Sequence, residues 1–397
     1  MRILHTSDWH IGRTFHGVDL LADQAAALTA VAELVAERGV DVVVVPGDIY
    51  DRSIPSADAV AVCNAGLEAI RAAGAVIVAT SGNHDSPVRL GAGAAFAAHG
   101  GLHLITRVSQ VDRPVVLNDE HGPVAFYGIP YLEPEITRTE LDVPGARSHQ
   151  DILDAAMARV QTDAAQRGVR TVVLAHAFVV GGEPTESERS ISVGGVETVS
   201  KATFDGADYV ALGHLHSPQT VSEHVRYSGS LLPYSFGERS HRKAVWLVEL
   251  DETGLASVDR VDLPVVRELT QLTGDLDDLL ADSAHEAAED HYVAAVLTDR
   301  ARPVDAMRRL QERFPHAVHV QWERPDSGSD GSYREKVRGR TDLEIASSFL
   351  TDVRSEPSTR EREWFEQAFR DEDRRRGVGD ESRGNDSGHD QRVDVPA

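Results

Sequence analysis

Four consecutive valines, Val42–Val45, followed by Pro46-Gly47-Asp48, constrain this chain more than any other stretch. A β-branched run with no polar alternation has no face to give to water, so it reads as a strand covered on both sides. The surrounding sequence keeps an α/β rhythm. Apolar runs recur at Ile3-Leu4, Ala75–Thr80, Val124–Ile129, Thr171–Ala175, Tyr209–Leu212, Val225–Tyr227 and Ala244–Leu250. Between them, Asp19–Arg38, Ala57–Ala73 and Asp151–Gln166 carry helical spacing.

At 397 residues the chain is too long for one ordinary core. Residues 1–264 form the principal domain, and the pattern changes near Pro264. Val266–Leu269, Leu276–Ala281, Tyr292–Leu297, Val304–Phe314 and Val318–Trp322 then read strand, helix, strand, helix, strand, a small α/β cap domain over 265–324. Residues 325–340 begin Pro-Asp-Ser-Gly-Ser and are a linker by composition. Two helical patterns, Leu343–Val353 and Arg360–Arg370, make up the segment 341–370, with Phe349, Trp364, Phe365 and Phe369 on their apolar faces. Such a pair cannot bury itself, so it docks on a partner or packs back on the main body. The charged, Gly-rich stretch 371–397 is expected to be a disordered tail.

A net charge of −24 argues against broad polyanion binding by the chain alone, although bound cations or a partner subunit can reverse the local field. Basic residues are nearly all arginine, with lysine only at 201, 243 and 336. Lone Cys63 excludes an internal disulfide and fits a reducing cytoplasm. No stretch approaches the roughly 20 apolar residues of a membrane span. The start, Met1–Asp8, lacks the succession of a secretory signal.

Five polar insertions each end a separate apolar run. Asp8-Trp9-His10 follows the first, and on an extended continuation its carboxylate and imidazole leave on one side. Gly47-Asp48 follows the valines, at the carboxyl end where α/β folds gather ligands. Gly82-Asn83-His84-Asp85 follows the third run. Asn83 offers a neutral oxygen ligand, His84 is a candidate acid or transition-state stabiliser, and Asp85 is placed to orient its imidazole. His176 ends the fourth run, and Gly213-His214-Leu215-His216 follows the fifth. Each motif alone is explained by a turn, a cap or a satisfied core histidine. Together they supply the oxygen and nitrogen donors of two divalent ions.

These blocks, in this order, resemble the calcineurin-like metallophosphoesterases, and within them the SbcD-type nuclease subunits of bacterial SbcCD complexes. Two further stretches, Ser187–Gly195 and Arg226–Gly237, carry the narrower resemblance. It implies a β-sandwich flanked by helices. It places Asp8, His10, Asp48 and His216 on one ion, with Asp48 bridging to a second held by Asn83, His176 and His214. His84 becomes the catalytic histidine, and manganese the usual metal. Asp51 stands where other branches have histidine. The implied substrate is DNA, cut as a 3'-5' exonuclease and as a single-strand or hairpin endonuclease in repair and recombination. An SbcC-type ATPase subunit is the implied partner, in a heterotetramer docked through the terminal helices. The chain itself lacks the Gly-x-x-x-x-Gly-Lys-[Ser/Thr] loop of an ATPase. A homodimer is also implied, and the alanine-rich segments Ala57–Ala73 and Val88–Ala98 suit either that or core packing. The competing readings are a small-molecule or nucleotide phosphodiesterase and a metal-free scaffold.

Overall fold

The computed structural model describes residues 1–188, 198–323, 339–353 and 356–380. The expected linker up to residue 338, residues 189–195 of the stretch Ser187–Gly195, and residues 381–397 of the expected tail lie outside them. The chain divides into two compact units, Met1–Thr270 with Asp290–Ala294, and Gln271–Glu289 with Ala295 onwards.

The first unit holds two six-stranded sheets. In spatial order one runs β14 (Gly254–Asp262), β13 (Ala244–Asp251), β1 (Arg2–His5), β4 (Val42–Pro46), β5 (Val76–Thr80) and β6 (Leu102–Ile105). The other runs β11 (Gln219–Thr220), β12 (Val225–Tyr227), β10 (Tyr209–Gly213), β9 (Arg170–His176), β8 (Gly122–Ile129) and β7 (Val115–Asp119). Strands β1, β4, β5 and β6 are parallel, as are β8, β9, β10 and β12. A two-stranded ribbon, β2 (Thr14–Phe15) and β3 (Val18–Asp19), follows the first motif.

The alternation of side chains builds the layers. Ile3, Val42, Val44 and Val78 meet Phe126, Val172, Leu174 and Tyr209 between the sheets. The intervening Val173, Ala175, Val210 and Leu212 face outward, onto Ile152, Ala156, Met157 and Val160 of the helix His149–Arg167. All four valines of β4 are buried, as their run demands, each contributing about 2 kcal/mol. Helices α1 (Leu21–Arg38) and α2 (Ala57–Ala72) pack on each other, and α2 packs on β5. The small-residue face of α2, with Ala59, Cys63 and Gly66, is therefore buried within the chain. The segment Val88–Ala98 is broken by Gly91 and Gly93 into Pro87–Leu90 and Ala94–His99, leaving Val88 and Phe96 more than four-fifths exposed.

The cap sheet orders as β15 (Leu269–Gly274), β16 (Tyr292–Leu297) and β17 (Ala317–Trp322), with helices Leu276–Ala281 and Ala306–Arg313. Its first strand starts at Leu269, where the expected strand Val266–Leu269 ends. The terminal helices Asp342–Val353 and Thr359–Asp380 pack on each other. The second continues past Arg370 into the stretch read as a tail. No helix among the described residues is long and apolar enough to cross a membrane.

Candidate metal centre

Every expected site residue lies at or just beyond the carboxyl end of a parallel strand, β1, β4, β5, β9 or β10. Beyond β1 the chain runs beside the exit of β4. The N–H of Asp8 donates to the Gly47 carbonyl at 3.2 Å, that of His10 to Asp48 at 3.0 Å and that of Ile11 to Ile49 at 2.9 Å. The backbone there is not extended, as the spacing had suggested. Asp8, His10 and Asp48 all have left-handed φ values, of 51°, 45° and 51°. Non-glycine residues hold that conformation at a cost on the order of 1–3 kcal/mol each, and such strain concentrates at functional sites. His214 has φ 109°. Alternating left-handed residues, not strand alternation, aim Asp8 and His10 at one point.

Glycine makes the approach of the two loops possible. A Cβ on Gly82 would lie 2.1 Å from Oδ1 of Asp48, and one on Gly47 (φ 92°) 2.5 Å from Nδ1 of His176.

Three overlapping groups of donors result: Asp8, His10 and His216; His10, Asp48 and His84; and Asp8, Asp48 and His176. Nε2 of His10 and Nε2 of His216 are 3.0 Å apart. Oδ2 of Asp48 lies between Nε2 of His10 at 3.6 Å and Nε2 of His176 at 3.4 Å. Nε2 of His176 is also 2.8 Å from Oδ1 of Asn83, while its Nδ1–H donates to the Pro46 carbonyl at 2.9 Å. His214 belongs to none of the three groups; its ring stands edge-on to His176, centroids 5.3 Å apart. Its backbone N–H donates to both oxygens of Asp8, at 2.9 and 3.1 Å. Asp8, His10, Asp48, His176, His214 and His216 are buried; Asn83 and His84 are partly exposed and form the open side.

The donor set fits two divalent ions. Among the described residues, Nδ1 of His10 is buried with no hydrogen-bond partner, and two imidazole nitrogens face each other where only one can carry a proton. Burial holds His10 and His216 well below the usual imidazole range and takes His214 down to about 3. These rings stay neutral, with lone pairs free for metal. Burial lifts the Asp8 carboxyl, and against His176 but with the Asp48 charge it reaches about 8. Burial works against ionisation of Asp48 too, yet the His176 imidazole holds its carboxyl well below the carboxylate range. Burial would lower His176, but Asp48 and Asp8 beside it push it up to about 9. Carboxylates this close and this buried call for positive charge.

Asp85, expected to orient His84, does something else. Its Oδ1 accepts the N–H of Tyr50 at 2.9 Å, and its Oδ2 those of Ile49 at 3.2 Å and Gly82 at 2.9 Å. It is a buried clasp between the Asp48 and Asn83 loops. The His84 ring is held by Nδ1–H donating to the Asp51 main-chain carbonyl at 2.8 Å. The Asp51 carboxylate lies 3.8 Å from Nδ1 of His10 and 3.9 Å from Nε of Arg13.

Other supports carry no motif. Oγ of Ser187 meets Nδ1 of His216 at 2.5 Å, and Glu188 accepts the His216 N–H at 2.7 Å. Gln24 donates to the His10 carbonyl at 2.8 Å. Ser187 falls in a stretch the resemblance singled out; Gln24, inside a helical pattern, gave no signal at all.

The calcineurin-like phosphoesterase model matches residues 1–218. The chain belongs to that family. It is a metal-dependent hydrolase, with neighbouring clusters suited to two cations. A second model, described as the type 5 capsule protein repressor C-terminal domain and named for SbcD, matches residues 265–354. The two together bear out the resemblance to SbcD-type proteins. Among solved structures, the chain is similar to a protein of Thermus thermophilus, at 14% identity, 66% coverage of this chain, 98% of that one and a TM-score of 0.39. It is likewise similar to a dimetal phosphatase from Danio rerio, at 13% identity, 66% and 98% coverage and a TM-score of 0.37.

Proposed function

We propose that this chain is a DNA nuclease subunit that hydrolyses phosphodiester bonds with two manganese ions. In this reading it works with an SbcC-type ATPase subunit as a 3'-5' exonuclease and a single-strand and hairpin endonuclease in DNA repair and recombination. The observation that carries it is the SbcD-type C-terminal domain following the phosphoesterase domain on one chain.

Asp8, His10, Asp48 and His216 are assigned to one ion, and Asp48, Asn83, His176 and His214 to the other. The position of Asp48 Oδ2 between His10 and His176 supports its role as bridge. Bound there, the ions would acidify a water for in-line attack and neutralise the nonbridging phosphate oxygens. His84 is the catalytic residue. With Nδ1–H committed to the Asp51 carbonyl, its Nε2 is the nitrogen left to face the leaving oxygen; the doubly protonated ring would give that oxygen its Nε2 proton and return to the Nδ1–H tautomer. Asp85 acts as a positioning residue. Among the terminal helices, Phe349 and Trp364 are more than half exposed, which suits docking to the ATPase partner. Exposed Val88 and Phe96 suit contact with a second copy of this chain.

The test compares linear and hairpin DNA with a generic phosphodiester, over a series of metals and with the ATPase partner present or absent. Manganese-dependent DNA cleavage, with duplex work requiring the partner, is expected. Hydrolysis of the small ester alone would point instead to a small-molecule phosphodiesterase.

A further inference from the structure

In a chain whose basic residues are almost all arginine, Lys243 is buried, with 6% of its side chain exposed. A buried ammonium is costly unless every proton finds an acceptor. Nζ of Lys243 has three. It donates to the main-chain carbonyl of His216 at 2.7 Å, to Oγ of Ser230 at 2.9 Å and to the fully buried carboxylate of Glu238. The other oxygen of Glu238 accepts from the Tyr234 N–H and the Ser235 hydroxyl, both at 3.2 Å. The Tyr234 hydroxyl in turn donates to the Trp9 carbonyl at 2.6 Å, and Gln24 ties that hydroxyl to the His10 carbonyl. One polar framework therefore reaches the backbone behind both imidazoles whose Nε2 atoms stand 3.0 Å apart.

We infer that Lys243, paired with Glu238, is a positioning residue that sets the His216 imidazole against His10 and so tunes one of the two ion sites. The inference rests on reading His216 as a ligand. Lysine suits the place and arginine does not. Three acceptors converge on a compact, rotatable ammonium, and a planar guanidinium has no room to reproduce that geometry in a slot this closed. The three hydrogen bonds of Lys243 all lie on the His216 side and none on the Asn83 side, so its loss falls on one ion and spares the other.

The experiment is a Mn2+ titration of the full chain by calorimetry, beside a thermal melt of each metal-free protein. Lys243→Arg is expected to bind one ion normally and the other about 10- to 100-fold more weakly, the usual consequence of losing an outer-shell partner. Lys243→Met alone leaves Glu238 buried and unpaired, so the second variant is Lys243→Met with Glu238→Gln. That double change is expected to keep a near-wild-type thermal midpoint, since a buried pair removed whole costs little fold stability, yet to show the same weakening at one ion. Two full-affinity ions in either variant would overturn the inference. So would equal weakening of both ions accompanied by a lowered midpoint, which marks a merely structural role. His216→Ala is the control: if it still binds both ions with full affinity, the ligand reading fails, and the present inference falls with it.

Discussion

His84 donates the proton on Nδ1 to the main-chain carbonyl of Asp51, 2.8 Å away, so its tautomer is held by backbone and not by an acidic side chain. Replacing His84 with alanine should lower kcat by about 10²- to 10⁴-fold while leaving two-ion binding intact. Asp51→Ala keeps the carbonyl and should cost far less turnover. Steady-state kinetics on a phosphodiester, paired with metal analysis, checks both; loss of the ions in His84→Ala would make it a ligand instead.

Asp85→Asn should destabilise the fold by about 1–3 kcal/mol in denaturant titrations, because an amide cannot accept from Tyr50, Ile49 and Gly82 together. Turnover should fall as well, through loosened loops, with the pH profile otherwise unmoved. A change in the pH profile at constant stability would return Asp85 to the chemistry.

Metal affinity should rise with pH. Asp8, raised by burial to about 8, and His176, raised by its carboxylate neighbours to about 9, both hold protons near neutrality when no ion is bound. Cations must displace those protons, so Mn2+ titrations should tighten from about pH 6 to about pH 9 and release acid. The sign for stability is opposite. A carboxyl or imidazole raised in the folded state contributes stability that is lost as pH climbs through its folded value. The melting temperature of metal-free protein should therefore fall over the same range, and added metal should cancel that fall.

Gly82→Ala places a Cβ against Oδ1 of Asp48. Because Asp48 Oδ2 lies between His10 and His176, the displacement should weaken both ions, with a destabilisation of about 1–3 kcal/mol from overpacking. Weakening of a single ion in the same titration would count against Asp48 as the bridge.

Truncation after Arg340 removes the exposed Phe349 and Trp364. Hydrolysis of a small phosphodiester should persist, and co-elution with the ATPase partner should vanish. Intact association would assign docking elsewhere.

Much of this was readable because a polar residue that ends an apolar run is conspicuous: Asp48 after four valines, His176 after Val172–Ala175. The manner of convergence was not. Left-handed φ at Asp8, His10 and Asp48 has no compositional signature, since aspartate and histidine enter that region more readily than most residues yet adopt it in only a small minority of cases. The edge strand β14 carries only scattered apolar residues, because an exposed edge needs no continuous run. Thr341 with Glu344 and Ser358 with Glu361 exchange side-chain and backbone hydrogen bonds that start the two terminal helices, a signal that the sequence does carry. Lys243 and Gln24 were beyond reach, because their partners lie far away in sequence.

The two sheets contribute unlike donors. Asp8, Asp48 and Asn83, the oxygen donors, all leave strands of one sheet together with His10, whereas the other sheet supplies imidazoles alone, His176, His214 and His216. Each half alone is a poor chelator, one crowded with negative charge and the other short of it. Ions held as proposed would act as rivets across the seam, and turnover would certify that the halves had met in register.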